Sequence, residues 1–180
     1  MHPDLPHDQT VEIKARCSNL AHARKLIQGW GAKLLGREKQ SDTFYNVPSG
    51  RLKLRVSSAE KLLIGYDRPD QPGPKHCEVD LYPVEYPETL NAVLTARLGV
   101  RIRVRKDRER WLLGNVKFHL DRVDKLGEFI EIEILGKRGV DTVESLRTVC
   151  KSYMDKLGIQ QDELVDNAYA DMLEELTGSG

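Results

Sequence analysis

In the stretch Phe129-Ile-Glu-Ile-Glu-Ile134 two acids, Glu131 and Glu133, alternate with apolar residues. In an extended strand this period of two sets both carboxylates on one face and the isoleucines on the other. The same alternation carries bases in Arg51-Leu-Lys-Leu-Arg55. It mixes signs in Val116-Lys-Phe-His-Leu-Asp121 and in Val11-Glu-Ile-Lys-Ala-Arg16. One such strand is ordinarily a sheet with one face in water. Four of them, with acids on the first, seventh and last strands and bases on most, need somewhere to point. The economical arrangement is a closed or strongly curved sheet with a charged interior, apolar residues outside and helices covering them.

The totals are compatible with this. The chain has 180 residues, enough for one domain with a sizeable core. Its 28 Lys and Arg balance 28 Asp and Glu, which argues against binding nucleic acid through bulk field. An internal basic lining can still be offset by an acidic exterior. Cys17, Cys77 and Cys150 are odd in number and far apart. They form neither a metal-ligand spacing nor a disulfide framework, which points to a reducing cytoplasm. No basic-then-apolar leader and no run of membrane-spanning length is present, so the expectation is a cytoplasmic protein with no membrane or nucleic-acid partner.

Read in order, residues 1–9 form a lead-in, 10–176 one domain including its C-terminal helices, and 177–180 a tail. The first strand is expected over Thr10 to Arg16, then a helix capped by Asn19 and ended by Gly29 and Gly31. A long second strand runs from Ala32 to Tyr45, and the Asn46-Val-Pro-Ser-Gly50 turn leads into a third over Arg51 to Ser57. A fourth covers Lys61 to Arg68. Pro69-Asp-Gln-Pro-Gly-Pro74 is loop, either a lip over a site or a crossover. A fifth strand follows over His76 to Leu81, then a helix that starts at Pro87 and stops at Gly99. The sixth is expected over Val100 to Lys106, with a turn near Asp107 to Glu109 and a seventh from Trp111 to Asp121. The eighth spans Glu128 to Leu135, a helix runs from Asp141 to Gly158, and a last short helix covers Glu163 to Leu173.

Carboxylates on several strands, without Cys, suit a hard divalent cation such as magnesium or manganese. Lys and Arg suit phosphoryl oxygens, Arg through its bidentate fork. The chain has no Gly-rich phosphate loop, no paired Cys or His motif and no Gly-x-Ser-x-Gly elbow, so side chains must hold any phosphate. Together these groups describe phosphoryl or nucleotidyl transfer.

Val11-Glu-Ile-Lys-Ala-Arg16, Asp42-Thr-Phe-Tyr45, Gly50-Arg-Leu-Lys-Leu-Arg55 and Tyr66-Asp-Arg-Pro-Asp70 form an ordered series. It continues with Val104-Arg-Lys-Asp-Arg108, His119-Leu-Asp-Arg-Val123, Leu126-Gly-Glu-Phe-Ile-Glu-Ile-Glu133 and Asp166-Asn-Ala-Tyr-Ala-Asp171. This series resembles the CYTH family of triphosphate tunnel metalloenzymes, and within it the bacterial class IV adenylyl cyclase-like branch. The resemblance implies an α+β fold: an eight-stranded antiparallel closed β-barrel, binding a triphosphate lengthwise, with surrounding helices. It implies magnesium or manganese held by Glu12, Asp121, Glu131 and Glu133, with Lys14 joining them in catalysis. It implies phosphate contacts from Lys14, Lys53, Arg55, Arg68, Lys106, Arg108 and Lys117; His119, on the Lys117 and Asp121 face, is a further candidate for binding phosphate. The family's Glu-x-Glu-x-Lys signature reads Thr10-Val-Glu12-Ile-Lys14 here, so its first acid is absent.

The expected activity is therefore metal-dependent hydrolysis of an inorganic or organic triphosphate. Cyclisation of ATP to cyclic AMP, or a triphosphate sensor with little turnover, are the alternatives. The implied partner is a small-molecule or nucleoside triphosphate, and the expected state is a monomer or homodimer. His119 is read either as a phosphate or proton-transfer group or as polar support, and Tyr45 as a base-stacking ring or a packed strand-end aromatic. Arg101, Arg103 and Arg105 are exterior charges, ion-paired groups or a basic patch of their own. The family motif favours Lys106 and Arg108 as the inward pair.

Overall fold

The computed structural model describes residues 9–66, 79–137 and 139–178. Its elements are β1 (Gln9–Arg16), α1 (Leu20–Gly29), β2 (Lys33–Tyr45), β3 (Arg51–Val56), β4 (Lys61–Tyr66), β5 (Val79–Pro83) and α2 (Pro87–Leu98). They continue with β6 (Val100–Leu113), β7 (Val116–Val123), β8 (Gly127–Gly136), α3 (Val143–Leu157), a 3-10 turn over Gln161–Glu163 and α4 (Tyr169–Gly178). The strands form one eight-stranded antiparallel sheet in the order β1-β8-β7-β6-β2-β3-β4-β5. Among the described residues no helix is long and apolar enough to cross a membrane.

The chain packs as two compact units. One comprises residues up to 37, 109–122 and 127–166; the other comprises 38–108, 123–126 and 167 onward. In the first, β1 and β8 pair so that Ile13 faces Ile132 and Ala15 faces Ile130. These residues join Val116, Phe118 and Leu120 of β7 in a core closed by Leu20, Ala23 and Ile27 of α1 and by Leu146 and Cys150 of α3. Each fully buried large aliphatic or aromatic side chain contributes about 1.5–3 kcal/mol relative to exposure. Local signals agree with that packing. The Asn19 side chain accepts the His22 N–H at 2.9 Å, and Thr142 and Ser145 form a reciprocal capping box. Gly158 closes α3 in the left-handed region, φ 72.

In the second unit, Tyr45, Leu54 and Val84 are buried, with Leu90, Leu94 and Leu98 of α2 packed against them. Tyr45 donates its hydroxyl to Asn91 Oδ1 at 2.8 Å. It is a packed ring with a satisfied hydroxyl, 2% exposed.

Four expectations change. The turn expected at Asp107 to Glu109 does not exist. β6 runs on to Leu113, and Gly114 (φ 58) with Asn115 makes the turn. The charge-rich segment stays extended because its alternate residues have different tasks. Lys106 and Arg108 are buried, while Glu109 on the other face accepts from Arg24 at 2.8 and 2.9 Å and from the Trp111 indole N–H at 3.2 Å. The last helix starts at Tyr169 rather than Glu163, because the Val165 N–H donates instead to Lys14 O at 2.8 Å. β5 is placed at Val79–Pro83, and the first part of its expected span lies outside the described residues. Finally, the strand order is linear among the described residues, with β1 and β5 as its ends, so the ladder is not the expected closed barrel. β1 meets the chain after α3 instead, through the Ala15–Leu164 bridge, which covers an edge that would otherwise present unpaired backbone groups.

Candidate functional site

Strand alternation dictates where the charges go. In the first unit, the face opposite the isoleucine core carries Glu12, Lys14, Lys117, His119, Asp121, Glu131 and Glu133. The β1–β8 register places Glu12 directly across from Glu133 and Lys14 across from Glu131. Glu131 is the centre of this face. Its Oε2 lies 3.3 Å from His119 Nδ1 and its Oε1 3.9 Å from Lys14 Nζ. Glu133 Oε2 lies 3.4 Å from Lys117 Nζ. Asp121 is fully buried at 0% exposure, on the same alternation as Lys117 and His119. Thr10, where the signature lacks its acid, pairs with Leu135, one step beyond the Glu12–Glu133 pair.

Two carboxylates directly opposed across a ladder repel unless a cation relieves them, a task that Lys117 beside Glu133 already shares. All the oxygens on this face are hard donors. Among the described residues no three His, Cys, Asp or Glu gather as a ligand cage. Magnesium needs no such cage, since one or two carboxylates, retained waters and substrate phosphates commonly complete its shell. The residues present fit that kind of binding, with Glu12 and Glu133 as the opposed pair.

In the second unit the corresponding face is built on a buried acid that had no assigned role in the sequence reading. Asp42 is 5% exposed. It accepts from Lys53 Nζ at 2.8 Å, from Arg55 Nε at 3.0 Å and Nη2 at 2.9 Å, and from Gln40 Nε2 at 3.2 Å. Burial pushes the Asp42 carboxyl up, but Lys53 and Arg55 outweigh it and hold it well below the ordinary carboxylate range. Lys53 behaves oppositely. Burial pushes its ammonium down, Asp42 resists, and the nearby guanidinium groups of Arg55 and Arg108 add to the lowering. Lys53 also lies 5.3 Å from the Phe44 ring centroid and 5.7 Å from that of Tyr66.

Lys106 and Arg108 are buried at 7% and 9% exposure, whereas Arg101, Arg103 and Arg105 are exposed. This is the orientation the family motif favoured. The tail segment supports two members of the face: Lys106 Nζ lies 5.1 Å from the Tyr169 ring centroid, and Asp171 pairs with Arg51 at 3.0 Å. Arg51 also has a buried Nη1 without a hydrogen-bond partner among the described residues. Arg68 lies outside the described residues. Register across the Asn46–Gly50 hairpin could have revealed Asp42, since counting back from the turn pairs Asp42 with Arg55.

Comparison with known structures gives the same fold. The PH1012 protein of Pyrococcus horikoshii OT3 superposes with a TM-score of 0.78 at 24% identity, covering 91% of this chain and 98% of that one. A conserved hypothetical protein of Pyrococcus furiosus gives 0.75 at 17% identity, with 91% and 99% coverage. A candidate adenylate cyclase from Vibrio parahaemolyticus gives 0.70 at 18% identity, with 92% and 97% coverage. No curated protein matches the chain. The CYTH domain profile matches residues 8–169, nearly the whole chain. The chain belongs to the CYTH domain family.

Proposed function

We propose that the protein is a divalent-metal-dependent triphosphate phosphohydrolase. The observation that carries this reading is the cluster around Asp42. Lys53 and Arg55 share a buried carboxylate, Arg108 acts on both cations, and the Lys53 ammonium is held below its ordinary range by burial and by its cationic neighbours. Such a cluster gains free energy from a further anion, and phosphoryl oxygens match both the ammonium and the guanidinium fork. Lys106 and Arg108 extend the same lining.

In the first unit, Glu12 and Glu133 would hold magnesium or manganese together with waters and phosphate oxygens, with Glu131 and Asp121 on the same face, and the bound ion would supply Lewis-acid polarisation of a phosphoryl oxygen. Glu131 orients His119 and Lys14. His119 is then placed to accept or return a proton, and Lys14 and Lys117 to neutralise charge on transferring oxygens. In the reaction, water adds to the terminal phosphorus, the bridging P–O bond breaks, and its electron pair leaves with the diphosphate portion.

A second reading, adenylyl cyclisation of ATP, draws on the candidate adenylate cyclases of Vibrio parahaemolyticus and Bacillus halodurans among the structural relatives. Of the two readings of Tyr45, the packed one holds: the ring is buried and its hydroxyl is engaged by Asn91, so it supplies no base-stacking surface for this second reading. The test is incubation of the purified chain with tripolyphosphate, thiamine triphosphate or ATP, each with magnesium or manganese, followed by product separation. Free phosphate is expected. Cyclic AMP with pyrophosphate would establish the cyclase, and saturable binding without either product would leave a triphosphate sensor.

A further inference from the structure

The outward arginines of β6 are not absorbed by the site described above. Arg101 is satisfied, with its guanidinium clasped by both oxygens of Glu174 at 2.6 Å. Arg103 and Arg105, two and four residues on, share its face of the strand but enter no ion pair among the described residues. They line a concavity of about 200 Å³ together with Lys125 and Asp124, while Ile102, Leu173 and Thr177 supply the rest of its wall. Three basic residues and one acid therefore line an open volume, and the charge of Arg103 also acts on the Tyr45 hydroxyl. That volume suits a compact ligand rather than a drug-sized one.

We propose that this concavity is a second anion site, separate from the Asp42 cluster, for a small phosphate-bearing ligand such as pyrophosphate or a short phosphate ester. Arg103 and Arg105 alternate with Val104 and Lys106, both buried, so they project from the opposite side of β6 to Lys106 and Arg108.

Lys125 lies in the β7–β8 hairpin turn, closed by the Leu126 N–H donating to Val123 O at 3.1 Å. It is the one non-glycine residue in the left-handed region among the described residues, φ 66, as the third position of such a turn requires. The turn is tied to β6 by the Asp124 N–H, which donates to Arg105 O at 2.9 Å. The backbone conformation and this bond together fix the turn beside the two arginines.

A plainer role would be neutralising the carboxyl end of α4, whose last turn has no basic residue. Neither arginine donates to a carbonyl of α4 among the described residues, so that role would be one of charge alone. Ile102 and Leu173 add an apolar wall that a bare counter-ion would not use and a small organic substituent would.

This site does not depend on the proposed activity, and one calorimetric series separates the two. Pyrophosphate is titrated into the full chain, without metal and at ionic strength matched with chloride, and the wild type is compared with K53A/R55A, R103A/R105A and K125Q. K53A/R55A should retain a pyrophosphate-binding event. R103A/R105A should weaken that event by about tenfold or more, as expected for lost hydrogen bonds to a charged ligand, and K125Q should weaken it by a smaller factor. Circular dichroism checks that each variant is folded, and K125Q in an exposed turn leaves the test intact if the double variant is not. Unchanged affinity in K125Q and in folded R103A/R105A would overturn the proposal, as would loss of all binding in folded K53A/R55A.

Discussion

Asp42 and Arg55 are partners across the β2–β3 ladder, and the guanidinium holds both carboxylate oxygens at 3.0 and 2.9 Å. The same acid receives Lys53 at 2.8 Å. Removing it leaves two mostly buried cations without their shared counter-ion. Asp42→Ala should therefore destabilise the fold by about 3–5 kcal/mol, the usual consequence of breaking a buried pair from one side. Urea unfolding measures it, and a loss below about 1 kcal/mol would show that the cluster relaxes into solvent.

The pH dependence follows from the direction of the shift. The folded carboxyl titrates below its unfolded value of about 3.9. Its contribution to stability is present above that value and is lost as pH falls through the folded pKa. Asp42→Asn has no such titration. The stability gap between wild type and Asp42→Asn should narrow as pH is lowered from 5 towards 2, and a constant gap would contradict the assignment.

Ligand should act on the same cluster with opposite sign. Tripolyphosphate with magnesium is expected to raise the melting temperature more than equimolar orthophosphate at equal ionic strength. At about 100 times Kd, linkage gives about 2.7 kcal/mol. Lys53→Ala should reduce the shift by removing an ammonium that burial and neighbouring guanidinium groups hold below its ordinary range. Equal shifts for the two anions would argue against recognition of a phosphate chain.

Alternation made much of this legible in the sequence. Glu131 with Glu133, and Lys53 with Arg55, had to share faces once their segments were extended, and Ile130, Ile132 and Leu54 had to be buried opposite them. The sixth strand was expected to end at Lys106 rather than Leu113 because a run such as Lys106-Asp-Arg-Glu-Arg110 looks like a solvated turn until its neighbours are known. Only three-dimensional packing shows Glu109 committed to Arg24 and Lys106 buried near Tyr169. Asp42 was missed because its significance lies in cross-strand register rather than in its own local pattern. The α4 boundary was missed because a long-range bond, Val165 N–H to Lys14 O, competes with helix propensity.

Glu131 ties two groups of the proposed reaction together, so Glu131→Gln should alter activity more than stability. The amide keeps the shape but loses the charge that His119 and Lys14 approach at 3.3 and 3.9 Å. Loss of a group that orients a ligand or proton carrier typically costs about 10–100-fold. Phosphate release from the best of the three triphosphates should fall by that order, and His119→Ala should cost little more in the Glu131→Gln background. Undiminished turnover would remove Glu131 from the site.

Gly136 tests the packing that holds β8 in place. A Cβ there would meet Leu146 Cδ1 at 2.6 Å and Asp141 Cβ at 3.3 Å. Gly136→Ala should therefore displace α3 or strain Leu146, costing about 1–3 kcal/mol as overpacking. Its activity should survive below the lowered melting temperature, because the charged face lies on other residues. A variant as stable as the wild type would mean that α3 yields freely.

Thr10 stands where the family signature has an acid, and the β1–β8 register shows what restoring it would do. Thr10 is exposed and follows the alternation of Glu12 and Lys14. Its ladder partner is Leu135, while Glu12 faces Glu133. Thr10→Glu would add an acid one pair along the same face, two residues from an existing acid, where it increases local negative potential without entering the isoleucine core. A change of about 1 kcal/mol in cation affinity corresponds to about fivefold in Kd, and the direction is set by charge: magnesium should bind more tightly in Thr10→Glu. Without metal the added repulsion against Glu12 should lower the melting temperature slightly, and magnesium should reverse that loss. Titrating magnesium against both stability and phosphate release separates the effects. An unchanged magnesium requirement in a folded Thr10→Glu variant would show that the missing acid does not limit metal binding here, and that Glu12 with Glu133 already suffices.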